Sequence, residues 1–111
     1  MGLLNGLRAF GRAVHTLAIG KGWYDPPREV GTSCALIHGE VSELMETFRR
    51  DTSHLPSEKI PTFSNAEEEM ADIVIRVLDF AESLGYDVPG AMEAKHQYNQ
   101  GRAHRHGGKN F

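Results

Sequence analysis

Two stretches of the chain carry acids at a spacing that can do chemistry. "HGEVSELMETFRR", residues 38 to 50, holds Glu40 and Glu43, and "EEEMADIVIRVLD", residues 67 to 79, holds Glu69 and Asp72. On a helix, three residues amount to about 60° of rotation, so each pair shares one face. Glu40 and Glu43 flank the apolar centre formed by Ile37, Val41, Leu44 and Phe48. Glu46 falls on the far side and reads as a solvated surface charge. Four clustered carboxylates repel one another and lose hydration, and a hard divalent cation is what best relieves both. Oxygen ligands without thiolates or paired histidines favour magnesium or manganese over zinc. A single Glu-x-x-Glu is common as a solvated face or an ion-pair partner. Arg76, between Glu69 and Asp72 in azimuth, is a structural candidate to neutralise Asp72, and the run Glu67 to Glu69 suits a helix N-terminus.

A bound metal implies a ligand with negative oxygens, which needs cations as well. Lys95, Asn99 and Arg102 recur at i, i+4 and i+7 and form one stripe, continuing the face of Val88, Ala91 and Met92 that should dock onto the rest of the fold. Facing the acids, this stripe would suit a polyphosphate: Arg grips phosphate bidentately and Lys acts as a point charge. The alternative is long stems lying on apolar surface with their heads in water. Trp23, in a turn bounded by Gly and Pro, could stack on a base or pack against the bundle. His38 and His15 are candidates for the pocket wall or for partly buried histidines with satisfied ring nitrogens. Glu93 and His96 form the Glu-x-x-His used by di-iron carboxylate bundles, but a second such element is missing from the chain.

Four helices can position these residues. Leu3, Leu7, Phe10, Val14 and Leu17 predict an amphipathic helix over 3–19, with Gly6 and Gly11 each costing about 1 kcal/mol against Ala. A second runs over 32–50, followed by the polar, proline-interrupted "DTSHLPSEKIPTFS", which reads as a mobile loop. Ser64 and Glu67 form a capping box for a third helix that Gly85 stops after Leu84. Its main apolar face is Met70, Ile73, Val74, Val77, Phe80 and Ala81, with Ala71, Ile75 and Leu78 as a second apolar side. Asp87 as N-cap and Pro89 in the first turn open a fourth helix over 88–102. The expectation is an all-α, four-helix-bundle-like domain over 1–103 with a flexible tail over 104–111. A third helix apolar nearly all round also predicts a homodimer, with the pocket near the subunit boundary.

At 111 residues, 40% hydrophobic and 24% charged, the composition describes one ordinary globular domain. A formal charge of −3 gives no basic footprint for nucleic acid. The lone Cys34 excludes an internal disulfide and a four-cysteine zinc site. The opening "MGLLNGLRAFGR" lacks the apolar run of a signal peptide or membrane span, so a cytoplasmic protein without membrane partners is expected.

Together, "GEVSELMETFR", "EEEMADIVIRVLDFAESLG" and "KHQYNQGRAHRHGGKNF" resemble the all-α nucleoside triphosphate pyrophosphohydrolases, the MazG-like superfamily. Its Glu-x-x-Glu and Glu-x-x-Asp pairs are matched by Glu40 and Glu43, then Glu69 and Asp72. The likeness covers residues 14 to 111, including "HTLAIGKGWYDPPREVGTSCALIHGE". It implies a MazG-type helical bundle assembled as a homodimer or a dimer of dimers, with magnesium (or manganese) on the four acids and cleavage between the α and β phosphates. Lys95 and Arg102 would then neutralise phosphate oxygens, Asn99 would hydrogen-bond the nucleotide, and Lys109, beside Gly107 and Gly108, would close over the substrate. A phosphoribosyl-ATP pyrophosphohydrolase-like enzyme and a non-catalytic nucleotide- or protein-binding helical module are the alternatives.

Overall fold

The computed structural model describes residues 2–102, which form four helices: α1 (Gly2–Gly20), α2 (Val30–Arg49), α3 (Asn65–Leu84) and α4 (Val88–Gln100). Among these residues no strand forms, and Pro56 and Ser64 make one isolated antiparallel bridge. No described helix is long and apolar enough to cross a membrane. The boundaries follow the expected signals closely. Ser64 and Glu67 satisfy each other's backbone donors, and Gly85 ends α3 in the left-handed region at φ 72°. Asp87 accepts from the Gly90 amide to open α4, and its carboxylate also holds Arg8 of α1 at 2.8 Å.

The central element is α3, flanked by α2 on one side and α1 on the other, while α4 rests chiefly on α1. Gly11 and Leu78 meet where α1 crosses α3, and an added Cβ at Gly11 would stand 3.8 Å from the Leu78 Cβ. The site therefore needs no glycine for clearance, and its helix-propensity cost is uncompensated there.

The inward faces differ from those that apolar spacing predicts. On α2 the most buried positions are Ser33 and Glu40, with Leu36, Leu44 and Thr47 half-buried beside them. This face is rotated roughly 70° from the apolar centre. Val41, Met45 and Phe48 consequently point outward. In the first half of α3, Glu68, Glu69, Asp72 and Arg76 are half-buried while Met70, Ala71 and Val74 are exposed. Leu78, assigned to the secondary side, is the most buried residue of the helix at 3% exposure. Polar residues thus line the α2–α3 contact, and apolar strips are left on the outside.

The segment between α2 and α3 is more tightly held than its composition suggests. Asp51 adopts φ 55°, a left-handed conformation Asp tolerates. Thr52 donates to the Thr47 carbonyl, Asn65 returns to the carbonyls of Leu55 and Thr52, and the Ser57 amide donates to Phe63. Ser57, 1% exposed, also donates its hydroxyl to Glu68 of α3.

Candidate metal and phosphate site

The two acidic pairs come together between α2 and α3. Glu40, Glu43 and Glu69 place one carboxylate oxygen each within 4.8 Å of one another, and Glu68, Glu69 and Asp72 do the same. Glu69 belongs to both groups. Glu68 was not singled out in the sequence, although it lies four residues before Asp72 and so on the same face. These acids, with Val14, Ala18, Trp23, Lys59, Ile75, Arg76 and Asp79, line a cavity of about 390 Å³.

The electrostatics are those of an under-neutralised acid cluster. Burial, followed by the charges of Glu43 and Asp72, pushes the Glu69 carboxyl up to about 7. Burial and the charge of Glu40 raise Asp72, against the opposing pull of Lys59 and Arg76. Glu43 is raised by its hydrogen-bonding contact with Glu40 and by that neighbour's charge. Arg76 pairs with Glu40 at 2.6 Å, in place of the Asp72 pairing anticipated from azimuth. The pairing uses Glu40 Oε1 only. Glu40 Oε2 and Glu69 Oε2 are buried without a hydrogen-bond partner. Two orphaned anionic oxygens among convergent carboxylates are what a hard cation with six or more oxygen ligands would complete, so the donor set fits magnesium or manganese.

The far wall is built by a network the sequence did not reveal. Asp79, 5% exposed, accepts from the Tyr24 hydroxyl at 2.8 Å and holds His15 Nδ1 at 2.7 Å. The Arg28 guanidinium lies 3.8 Å from the same carboxylate and stacks 4.5 Å from the centre of the Tyr24 ring. His15 is therefore a partnered histidine, one of the two readings open to it. One carboxylate ties α1, α3 and the 21–29 connection together, and that connection carries half-exposed Trp23 to the cavity rim.

Several other placements differ from those the spacing suggests. Lys95, Asn99 and Arg102 do not face the acids within the chain. They are exposed on or just past α4, where Lys95 and Arg102 lie over the Tyr98 ring at 4.7 and 6.0 Å. The reason is that α4 docks through Pro89 near Leu3, Leu4 and Leu7 at the start of α1, and leaves residues 91–102 exposed. His38 is exposed on α2 and absent from the cavity wall. Glu46 is not remote: it pairs with Arg50 at 3.0 Å and borders, with Glu43 and Glu69, a second groove beside the cavity. Neither Glu93 nor His96 enters a metal-type cluster among the described residues. Lys109, Gly107 and Gly108 lie outside the described residues.

No family model, curated protein or solved structure matches this chain.

Proposed function

We propose that this protein is a metal-dependent nucleoside triphosphate pyrophosphohydrolase of MazG-like type, cleaving the α–β phosphate bond to release nucleoside monophosphate and pyrophosphate. The observation that carries the reading is the convergence of Glu40, Glu43, Glu68, Glu69 and Asp72 with two buried carboxylate oxygens left unpartnered. Glu40, Glu43 and Glu69 would hold one magnesium or manganese ion, and Glu68, Glu69 and Asp72 a second. When bound, such ions neutralise phosphate oxygens and lower the pKa of water, the chemistry an in-line displacement at phosphorus requires. Around them, Arg76 fixes Glu40 through one oxygen and leaves the other free. Trp23 offers a ring at the rim on which a base can stack, and the Asp79 network holds that rim in place.

A homodimer is part of the same proposal. Among the described residues the buried apolar side chains are Ala18, Leu78, Ala81 and Pro89, whereas Val41, Met45 and Phe48 of α2, Met70 and Val74 of α3, and Phe10 and Leu17 of α1 are about half exposed or more. Apolar surface on that scale marks an interface. A second copy would also offer a route for Lys95, Asn99 and Arg102 to reach an acidic cavity that they do not reach within their own chain.

The direct test is a panel of canonical and modified nucleoside triphosphates with magnesium, resolving pyrophosphate from orthophosphate. Pyrophosphate and monophosphate are expected. Orthophosphate with diphosphate would overturn the bond assignment, and binding without turnover would favour a nucleotide sensor.

A further inference from the structure

The cavity wall holds six carboxylates and two permanent cations, Lys59 and Arg76. Arg76 is committed to Glu40. Lys59 forms no ion pair with any described residue. It lies near enough to Asp72 for its charge to be felt there. A metal-bound polyphosphate keeps negative oxygens that the metal-ligating acids repel, so a cation must meet them, and the α4 cations of the same chain lie elsewhere. Lys59 is also held in place. Its segment closes on itself through the Pro56–Ser64 bridge and the Ser57 amide bond to Phe63 at 2.8 Å. Buried Ser57 then fastens that segment to α3 by donating to Glu68, while its hydroxyl oxygen accepts from the Ile60 amide at 3.2 Å. Glu68 is itself one of the convergent acids.

We propose that Lys59 is a phosphate-binding residue of this site, engaging non-bridging oxygens of the substrate's polyphosphate, and that Ser57 is the positioning residue that sets its reach by tying the 52–64 segment to the acid cluster. The inference rests on the polyphosphate reading above and adds a group that the sequence pattern did not single out. It competes with a simpler role in which Lys59 is only a counter-ion for Asp72, and the two differ in what they change. A counter-ion alters the metal-free protein; a phosphate ligand alters affinity for the anion.

The test uses the full chain with Lys59→Gln, Lys59→Arg, Ser57→Ala and the double variant Ser57→Ala/Lys59→Gln. Turnover of the nucleotide panel is measured with magnesium, and inorganic triphosphate with magnesium is titrated calorimetrically. Lys59→Gln should lower kcat/KM and triphosphate affinity by about tenfold or more, with Lys59→Arg recovering most of the loss. The melting shift produced by magnesium alone should persist in Lys59→Gln. Ser57→Ala should raise KM, and its effect should largely disappear in the Lys59→Gln background, because a residue acting through another is non-additive with it. Lys59→Gln within about twofold of the parent in both assays overturns the assignment while leaving the pyrophosphohydrolase reading standing. A parent that neither turns over a nucleotide nor binds magnesium triphosphate overturns that reading, and this one with it.

Discussion

Replacing Glu69 with Gln should stabilise the metal-free protein at pH 8 and have no such effect at pH 5. Glu69 stands in both acid groups, and its carboxyl is raised from 4.5 to about 7, first by burial and then by the charges of Glu43 and Asp72. Between those two pH values the native state binds more protons than the unfolded chain, so stability falls as pH rises through the window and stays reduced above it. The full displacement corresponds to about 3.4 kcal/mol. Glu69 is half-buried, and water beside it screens part of this. About 1–2 kcal/mol is therefore expected at pH 8, or about 4–8 °C in melting temperature for a domain of this size. The amide keeps the shape, removes the charge and can donate to the neighbouring carboxylates. At pH 5 the parent's Glu69 is already mostly protonated in the fold, so parent and variant should melt nearly together. Magnesium should reverse the order at pH 8, since a ligand at a hundredfold over Kd adds about 2.7 kcal/mol to the parent, and the variant should lose most of this. Thermal melts with and without chelator, at the two pH values, are sufficient. A variant that is less stable than the parent at pH 8 without metal, yet retains the magnesium shift, would falsify the view of Glu69 as a strained metal ligand.

Two further outcomes follow from the packing. Asp79→Ala removes the shared partner of His15, Tyr24 and Arg28 and should cost about 3 kcal/mol by urea unfolding, a figure set by stranding buried partners; a loss below about 1 kcal/mol would show that the network does not hold the 21–29 connection. Light scattering at micromolar concentration should give twice the chain mass, and Val41→Glu or Met45→Glu on the outward strip of α2 should shift it towards monomer; a parent that is monomeric throughout removes the assembly proposal.

The helices and their ends were legible because the signals are local. Ser64 with Glu67, Gly85, and Asp87 with Pro89 act within a few residues, and each appears where the sequence places it. The pairing of Glu40 and Glu43 with Glu69 and Asp72 was also legible, since two acidic pairs on helices that follow one another in the chain can readily face one another. The direction of each face was not. Apolar spacing on α2 points to Val41 and Phe48, while the fold turns Glu40 inward and leaves those two exposed, because spacing reports that a helix has an apolar strip and not which neighbour the strip meets. Glu68 had a periodic signal that was readable as a dipole effect. Lys59 had none, sitting in a segment without helical period, and the Asp79 network joins residues 51 to 64 positions apart.

Arg76 has a consequence for the order of events in the life of the chain. A small zinc domain is unfolded until its ion arrives, because nothing else offsets its ligands. Here the guanidinium, 2.6 Å from Glu40, supplies one counter-charge from within the fold, and it is present as soon as α2 and α3 meet. The chain can thus close around its acids with no ion bound, and under the metal-dependent reading it would acquire the ion afterwards. Under the metal-dependent reading, activity would then follow the free cation concentration of the moment, in either direction, with no refolding between the active and idle forms.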